Sequence, residues 1–246
     1  FCLCWANENW TKHWDGGSQK HALMTQDYGP ETYDSLITDV LAVAELPRAI
    51  KIHGKPLFMI YRPKLIPNVE QLCDRIRHAF TKAGFPGVYL AYVESMELAQ
   101  AGVAPQSMGF DASVEFPPQG VASEYRGELV PLKSAFLGQV YDYQETVINA
   151  VVREKPAYKR FPGVFPSWDN TPRQPFSHTT LRGATPTFFQ WYVEQKMHYA
   201  HEYFCGDERL IFVNAWNEWA EGAHLEPDQR FGHSWLEALR NARLRV

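Results

Sequence analysis

The stretch Leu210-Ile-Phe-Val-Asn-Ala-Trp216-Asn-Glu218-Trp-Ala-Glu221-Gly-Ala-His-Leu-Glu-Pro-Asp228 begins apolar and ends crowded with amides, indoles and carboxylates. Residues 210–213 read as a buried strand, because a short apolar run is what a strand covered on both faces requires. Beyond it stand Trp216, Asn217, Glu218, Trp219 and Glu221. Carboxylates move protons, and flat rings stack on the apolar faces of pyranoses, so this strand end suits acid/base chemistry on a sugar. The pairing carries a geometric condition. Three residues apart on a continued strand, Glu218 and Glu221 would point to opposite faces. In a helical turn they lie side by side, their Cβ atoms about 5–6 Å apart. The chain must therefore curl after Trp216, and Gly222 permits a turn there. Convergence would raise one pKa by mutual repulsion, giving one proton donor and one base. The competing reading is a solvated helix start or cap.

The same strand signature recurs along the chain. Apolar runs rich in Val, Ile, Leu, Phe and Tyr, bounded by Gly or Pro, occupy residues 1–5, 56–61, 87–93, 109–116, 163–168 and 210–216. Between them, helical spacing of apolar residues appears over 33–52 (Leu36, Ile37, Val40, Leu41, Ala44) and 69–83 (Leu72, Ile76, Ala79, Phe80). A helix with Pro186 in its first turn runs to about Phe204, and another closes the chain over 232–244. Strand–helix alternation predicts a parallel α/β sheet, with a long insertion over 117–162. Six units fit an open doubly wound sheet or most of a (β/α)8 TIM-type barrel. Polar residues after several strand C-termini favour the barrel, where active sites are built on that face. The expectation is one domain over 1–246, N-terminally truncated, with two units upstream. A start on a strand without Met agrees with that expectation.

Composition narrows the partners. The chain has 246 residues, 45% hydrophobic and 21% charged, as in a globular domain with a full core. A net charge of −4, with no basic patch, argues against nucleic acid and anionic membrane surfaces. No apolar run approaches the roughly 18 residues of a membrane span. Aromatic content is 14%, with eight tryptophans, which fits glycan binding and also fits a large core. The spacing of Cys2, Cys4, Cys73 and Cys205 matches no zinc pattern and gives Cys2 and Cys4 poor disulfide geometry. Buried free thiols in a reducing compartment follow, which favours a bacterial cytoplasm.

Three strand ends place Trp beside Asn and a carboxylate: Trp5-Ala-Asn7-Glu8-Asn-Trp10, followed by Trp14-Asp15-Gly16; Trp168-Asp169-Asn170; and the segment around Glu218. In a barrel these loops share one face. Glu8 competes with a cap or ion-pair role, and Asp169-Asn170 with a plain turn. Tyr61 and Arg62 end the second strand, where they can hold sugar hydroxyls or a carboxylate, or Arg62 can serve an ion pair. Tyr92 and Glu94, and Glu115 and Phe116, end the next two strands with similar ambiguity. His198, His201 and Glu202 are spaced loosely like a metal site, but surface histidines are the better reading. Dinucleotide, P-loop, serine-hydrolase and HExxH motifs are absent, so no cofactor and no metal is expected.

At these residues the chain resembles a known family. The segments at 1–10, 163–170 and 214–227 are similar to WbsX-like polysaccharide-biosynthesis proteins, which group with glycoside hydrolase family 99, the endo-acting α-mannosidases and α-mannanases. The resemblance runs nearly end to end. It implies a (β/α)8 barrel and metal-independent catalysis. It also implies that Glu218 is the base for the sugar 2-hydroxyl and Glu221 the general acid/base for the departing oxygen, with retention through a 1,2-anhydro sugar. The chain departs from the mannosidases at Ala220 and Ala223-His224-Leu225. Three functions remain open on these grounds: a glycoside hydrolase or transglycosidase, a glycosyltransferase of bacterial O-antigen or surface-polysaccharide assembly, and a non-catalytic glycan-binding module. In each the partner is a glycan. Trp5, Asn7, Glu8, Trp10, Tyr61, Arg62, Trp168, Asp169, Asn170, Trp216, Asn217 and Trp219 are the expected substrate contacts; the oligomeric state is not read from the sequence.

Overall fold

The computed structural model describes residues 1–11, 22–128, 136–174 and 176–246. Its spine is a run of parallel strands: β1 (Leu3–Trp5), β2 (Lys55–Ile60), β3 (Tyr89–Glu94), β4 (Ala112–Glu115), β5 (Arg160–Phe161), β6 (Gly163–Val164) and β7 (Phe212–Val213). β5 and β6 flank Pro162, which lacks the N–H to continue a ladder. β5 pairs with β4, while β6 pairs with β7 on the other side. Pairing follows chain order from β1 to β7, and every one of these pairs is parallel. A doubly wound sheet would reverse its order at a switch point; this one does not. Among the described residues no pairing joins β1 to β7.

Helices α1 (Pro30–Ala44), α2 (Val69–Lys82), α3 (Tyr143–Val152), α4 (Pro186–Tyr203) and α5 (Ser234–Arg245) cover the sheet. Leu72, Cys73, Ile76 and Phe80 are the buried stripe of α2, at helical spacing. They meet Phe58 and Ile60 of β2 and Leu90 and Tyr92 of β3. The alternate residues Leu57, Met59, Tyr89 and Ala91 face a second cluster with Ala112, Val114 and Phe161. A third cluster packs α3, α4 and α5 around Val164 and Phe165. Thr185 caps α4 by accepting from Phe188 N at 3.3 Å, with Pro186 at the first position as expected.

Several expectations need correction. The first helix starts at Pro30 and stops at Ala44, and residues 51–52 form a short strand antiparallel to β2. The 117–162 insertion contains α3, whose N-cap Asp142 accepts from Glu145 N at 2.8 Å. It also holds the strand Gln139–Asp142, which pairs with Thr179–Arg182 and Ser123–Glu124 as a small sheet beside the main one. The β3–β4 connection uses 3-10 turns, Met96–Leu98 and Pro105–Met108, rather than an α-helix. All four cysteines are free, but only Cys73 is fully buried, and Cys4 and Cys205 are exposed. Cys4 sits on the strand face turned away from α1 and α2, and Cys205 lies in the loop after α4. His198, His201 and Glu202 are exposed on α4. No helix among the described residues is long and apolar enough to cross a membrane.

Candidate active site

The loops at the C-terminal ends of β1, β2, β3, β6 and β7 converge. The β7 loop curls as the paired glutamates require. Asn217–Glu218 pairs antiparallel with Ala223–His224, and Trp219–Glu221 forms a 3-10 turn between them. Gly222 ends the turn at φ +62°, a left-handed conformation open to glycine. Its bare Cα lets the backbone reach the β6 loop, where Asp169 N donates to Glu221 O at 2.7 Å and Ser167 Oγ donates to Gly222 O.

Both glutamates hold one guanidinium. Arg173 Nη2 donates to Glu218 Oε1 at 2.9 Å, and Nη1 donates to Glu221 Oε1 at 3.1 Å. The Glu218 side chain is 38% exposed and that of Glu221 20%. Burial pushes the Glu221 carboxyl above its ordinary range; Arg173 opposes this and Glu218 adds to it. Trp216 and Trp219 flank the pair and are 53% and 45% exposed. Trp219 stacks on His224, centroids 3.9 Å apart, and its Nε1 donates to Glu226 Oε2 at 2.7 Å. Asn217 is exposed beside them. His224 in turn pairs through Nε2 with Asp228 Oδ2 at 3.0 Å. Asp228 also accepts from the Arg230 and Phe231 amides and from Trp235 Nε1. Burial alone would raise the Asp228 carboxyl; the Phe231 amide, His224 and its other donors outweigh that and hold it below its usual value.

A second guanidinium organises the other side. Arg62 binds Glu8 through Nη1 and Glu97 Oε2 through Nη2 at 2.7 Å. Glu97 follows Met96, whose φ of +49° is uncommon for a residue other than glycine. Tyr61 packs edge-on against Phe116, centroids 5.4 Å apart. Its hydroxyl is pushed up to about 12 by burial first and by Glu8, with a smaller contribution from Glu221. Between Glu97 and Gln100 on one wall and Trp168, Asn170, Tyr141 and Thr179 on the other opens a cleft of about 590 Å³. It adjoins the paired glutamates through the 168–170 loop but is not lined by them.

Other expected contacts lie elsewhere. Trp5 is in register with Ile60 and turns to the helix layer, where its Nε1 donates to Gln26 Oε1 at 2.8 Å. Asn7 is wholly buried; its Nδ2 donates to Arg62 O and its Oδ1 accepts from Arg62 N, both at 2.8 Å. Trp10 is 61% exposed on a two-stranded ribbon with Ala22–Met24. Trp14, Asp15 and Gly16 lie outside the described residues. Asp169 Oδ1 accepts from Thr171 N, Thr171 Oγ1 and Thr180 Oγ1, and Asn170 Oδ1 accepts from Thr179 N at 2.6 Å. These two therefore build the turn that carries Arg173, and Asn170 also reaches the cleft. Glu94, Glu115 and Ser113 face the helices, not the cleft. Glu115 accepts from Lys196 Nζ at 2.8 Å and lies 3.2 Å from Arg160 Nε; Glu94 pairs with Arg153 at 3.5 Å. Tyr92 donates to Val103 O at 2.6 Å in the outer layer. Sequence reading missed Arg173 and Glu97. The signal for Arg173 was its place just after the turn residues Asp169-Asn170-Thr171-Pro172.

Paired carboxylates and exposed indoles thus stand together at the C-terminal end of a parallel sheet. The chain belongs to the family described as Glycosyltransferase WbsX, whose model matches residues 1–239. It is 35% identical over its whole length to the uncharacterized protein WxcX of two Xanthomonas campestris pv. campestris strains, B100 and ATCC 33913. It spans 35% of the length of those relatives. Its fold is similar to that of a glycoside hydrolase-like protein, with TM-score 0.60 and 13% identity over 89% of this chain and 62% of that one. It is also similar to the GH99 endo-alpha-mannosidase from Bacteroides thetaiotaomicron, with TM-score 0.53 and 17% identity over 89% of this chain and 65% of the other.

Proposed function

We propose that this protein cleaves or transfers glycosidic bonds at Glu218 and Glu221, as an endo-α-mannosidase-like enzyme on a sheet that is an arc of a (β/α)8-type barrel. The observation that carries the reading is the shared guanidinium. Two carboxylates on a turn hold one Arg173, partly buried, beside two open indole faces. In this reading Glu218 takes the proton of the sugar 2-hydroxyl, O2 attacks C1, and the C1–O bond to the leaving group breaks. Glu221 gives its proton to the departing oxygen, for which its raised proton affinity suits it. Water or an acceptor hydroxyl then attacks C1 while Glu221 takes its proton; the C1–O2 bond opens and O2 recovers a proton from Glu218. Trp216, Trp219 and Tyr61 would contact the sugar undergoing reaction, and the cleft at Trp168 and Asn170 would take the next residues of the chain.

The family description supports a second reading, transfer from an activated donor. The charge of the site favours a neutral saccharide over a diphosphate, since Glu8, Glu97, Glu218 and Glu221 face two guanidiniums, both engaged. Incubation with α-mannan and an O-antigen polymer tests the first reading: reducing ends should appear, and Glu221→Gln should lower the rate by about 10²–10⁴-fold. No turnover, with tight calorimetric binding of a nucleotide sugar, would replace it with the second. Glycan binding without turnover would leave a binding module.

A further inference from the structure

We propose that Arg173 is a positioning residue that fixes Glu218 and Glu221 against one guanidinium and thereby sets when Glu221 can carry a proton. The inference deepens the proposed acid/base reading and rests on it for its catalytic consequence. The arrangement is built in rather than incidental. Arg173 stands on a turn closed by its own amide and that of Gln174, donating to Asn170 O at 3.0 and 3.1 Å. Asp169 and Asn170 fix the base of that turn through Thr171, Thr180 and Thr179. The Asp169 amide ties the turn to the Glu221 carbonyl. The backbone that carries the guanidinium is thereby fixed, and the side chain is only 18% exposed, so solvent competes weakly for it. Each nitrogen takes one Oε1, leaving each Oε2 for a substrate hydroxyl or leaving-group oxygen.

The consequence concerns Glu221. Two charged groups act on it, Arg173 from the β6 loop and Glu218 from its own turn, and Tyr61 at the end of β2 lies within electrostatic reach. Burial and Glu218 favour its protonated form, and Arg173 favours its charged form. Without the guanidinium, Glu221 would stand beside Glu218 and within reach of Tyr61, and its proton affinity would rise further.

The test reads Glu221 directly. Carboxyl ¹³C resonances of glutamate-labelled protein are titrated, with Glu221→Gln identifying the signal. In Arg173→Met the Glu221 midpoint should rise by about one to three pH units. Arg173→Lys, which keeps a charge on a comparable stem, should bring it part of the way back and covers the case in which the Met variant does not fold. An unchanged midpoint in either folded variant overturns the proposal. If a glycan is turned over, the alkaline limb of kcat/KM should move up with that midpoint in Arg173→Met. A uniform loss of rate with unmoved limbs would overturn the proposal. A shifted midpoint in a protein that turns over no glycan would uphold the clamp and remove only the hydrolase reading.

Discussion

Gly222 lies against the backbone of Asp169: a Cβ built on it would stand 2.9 Å from the Asp169 nitrogen and 3.0 Å from its oxygen. The glycine also holds a left-handed φ. Gly222→Ala meets both obstacles at once, a strained backbone and a rigid neighbour that cannot rotate away. The expected cost is about 2–3 kcal/mol, read from urea unfolding midpoints. Wild-type stability would mean that the 167–169 and 221–222 segments part easily, and the two loops would then not be one rigid unit.

Asn7 replaces a missing ladder between the ends of β1 and β2. Its amide satisfies both the N–H and the C=O of Arg62 inside a fully buried position. Asn7→Ala leaves two backbone groups unpaired, at about 2–4 kcal/mol. Because Arg62 then loses its anchor, glycan affinity should fall as well as stability. A variant destabilised but unaltered in binding would show that Arg62 takes no part in the site.

The ion cluster beneath α3 and α4 gives an asymmetric pair of outcomes. Arg153, Arg160 and Lys196 share Glu94 and Glu115. Burial pushes the Glu94 carboxyl up and Lys196 down, as expected where charges are held out of water. Glu115→Gln strips a partner from three buried or half-buried cations and should cost about 3–5 kcal/mol. Lys196→Met removes one of three cations, and with it the donor to Ala150 O at 2.8 Å, and should cost less, about 1–3 kcal/mol. Equal losses in denaturant titrations would contradict this charge accounting.

Glu221 should make stability depend on pH in a defined direction. Its folded pKa lies above the ordinary value of 4.5. Between the two values the folded chain keeps a proton that the unfolded chain has released. The favourable contribution is therefore complete below pH 4.5 and lost as pH rises through the folded value. Glu221→Gln removes the charged form. It should be no more stable than wild type near about pH 4, and relatively more stable near about pH 7. Denaturation midpoints at the two pH values measure the difference; a gain confined to the acid side would reverse the sign.

Much of the architecture was legible in the chain itself. Apolar runs bounded by Gly and Pro located six of the seven main strands, missing β5 at Arg160–Phe161, and the spacing of Leu72, Ile76 and Phe80 located α2, because both signals are local. α3 was hidden because its buried residues Tyr143, Thr146, Val147 and Ala150 mix polar with small side chains. The β3–β4 turns carry no periodicity to read. Of the site, the curl at Glu218 and Glu221 could be posed from sequence as a condition, with Gly222 as its enabling residue.

The sequence by itself determined most of the segments that become strands and helices and which strand ends carry carboxylates and indoles. Only the tertiary structure decided which way those side chains face and what they meet. Alternation along a strand says that Trp5 and Cys4 point oppositely, but not which of them meets the helices. Glu94 and Glu115 end strands as an active-site residue would, yet they lie with Arg160 and Lys196 because α4 delivers a cation to that face. Arg173 reaches Glu218 from 45 residues away. Such pairings depend on distance through space and on exclusion of water, neither of which is written in the local order of residues.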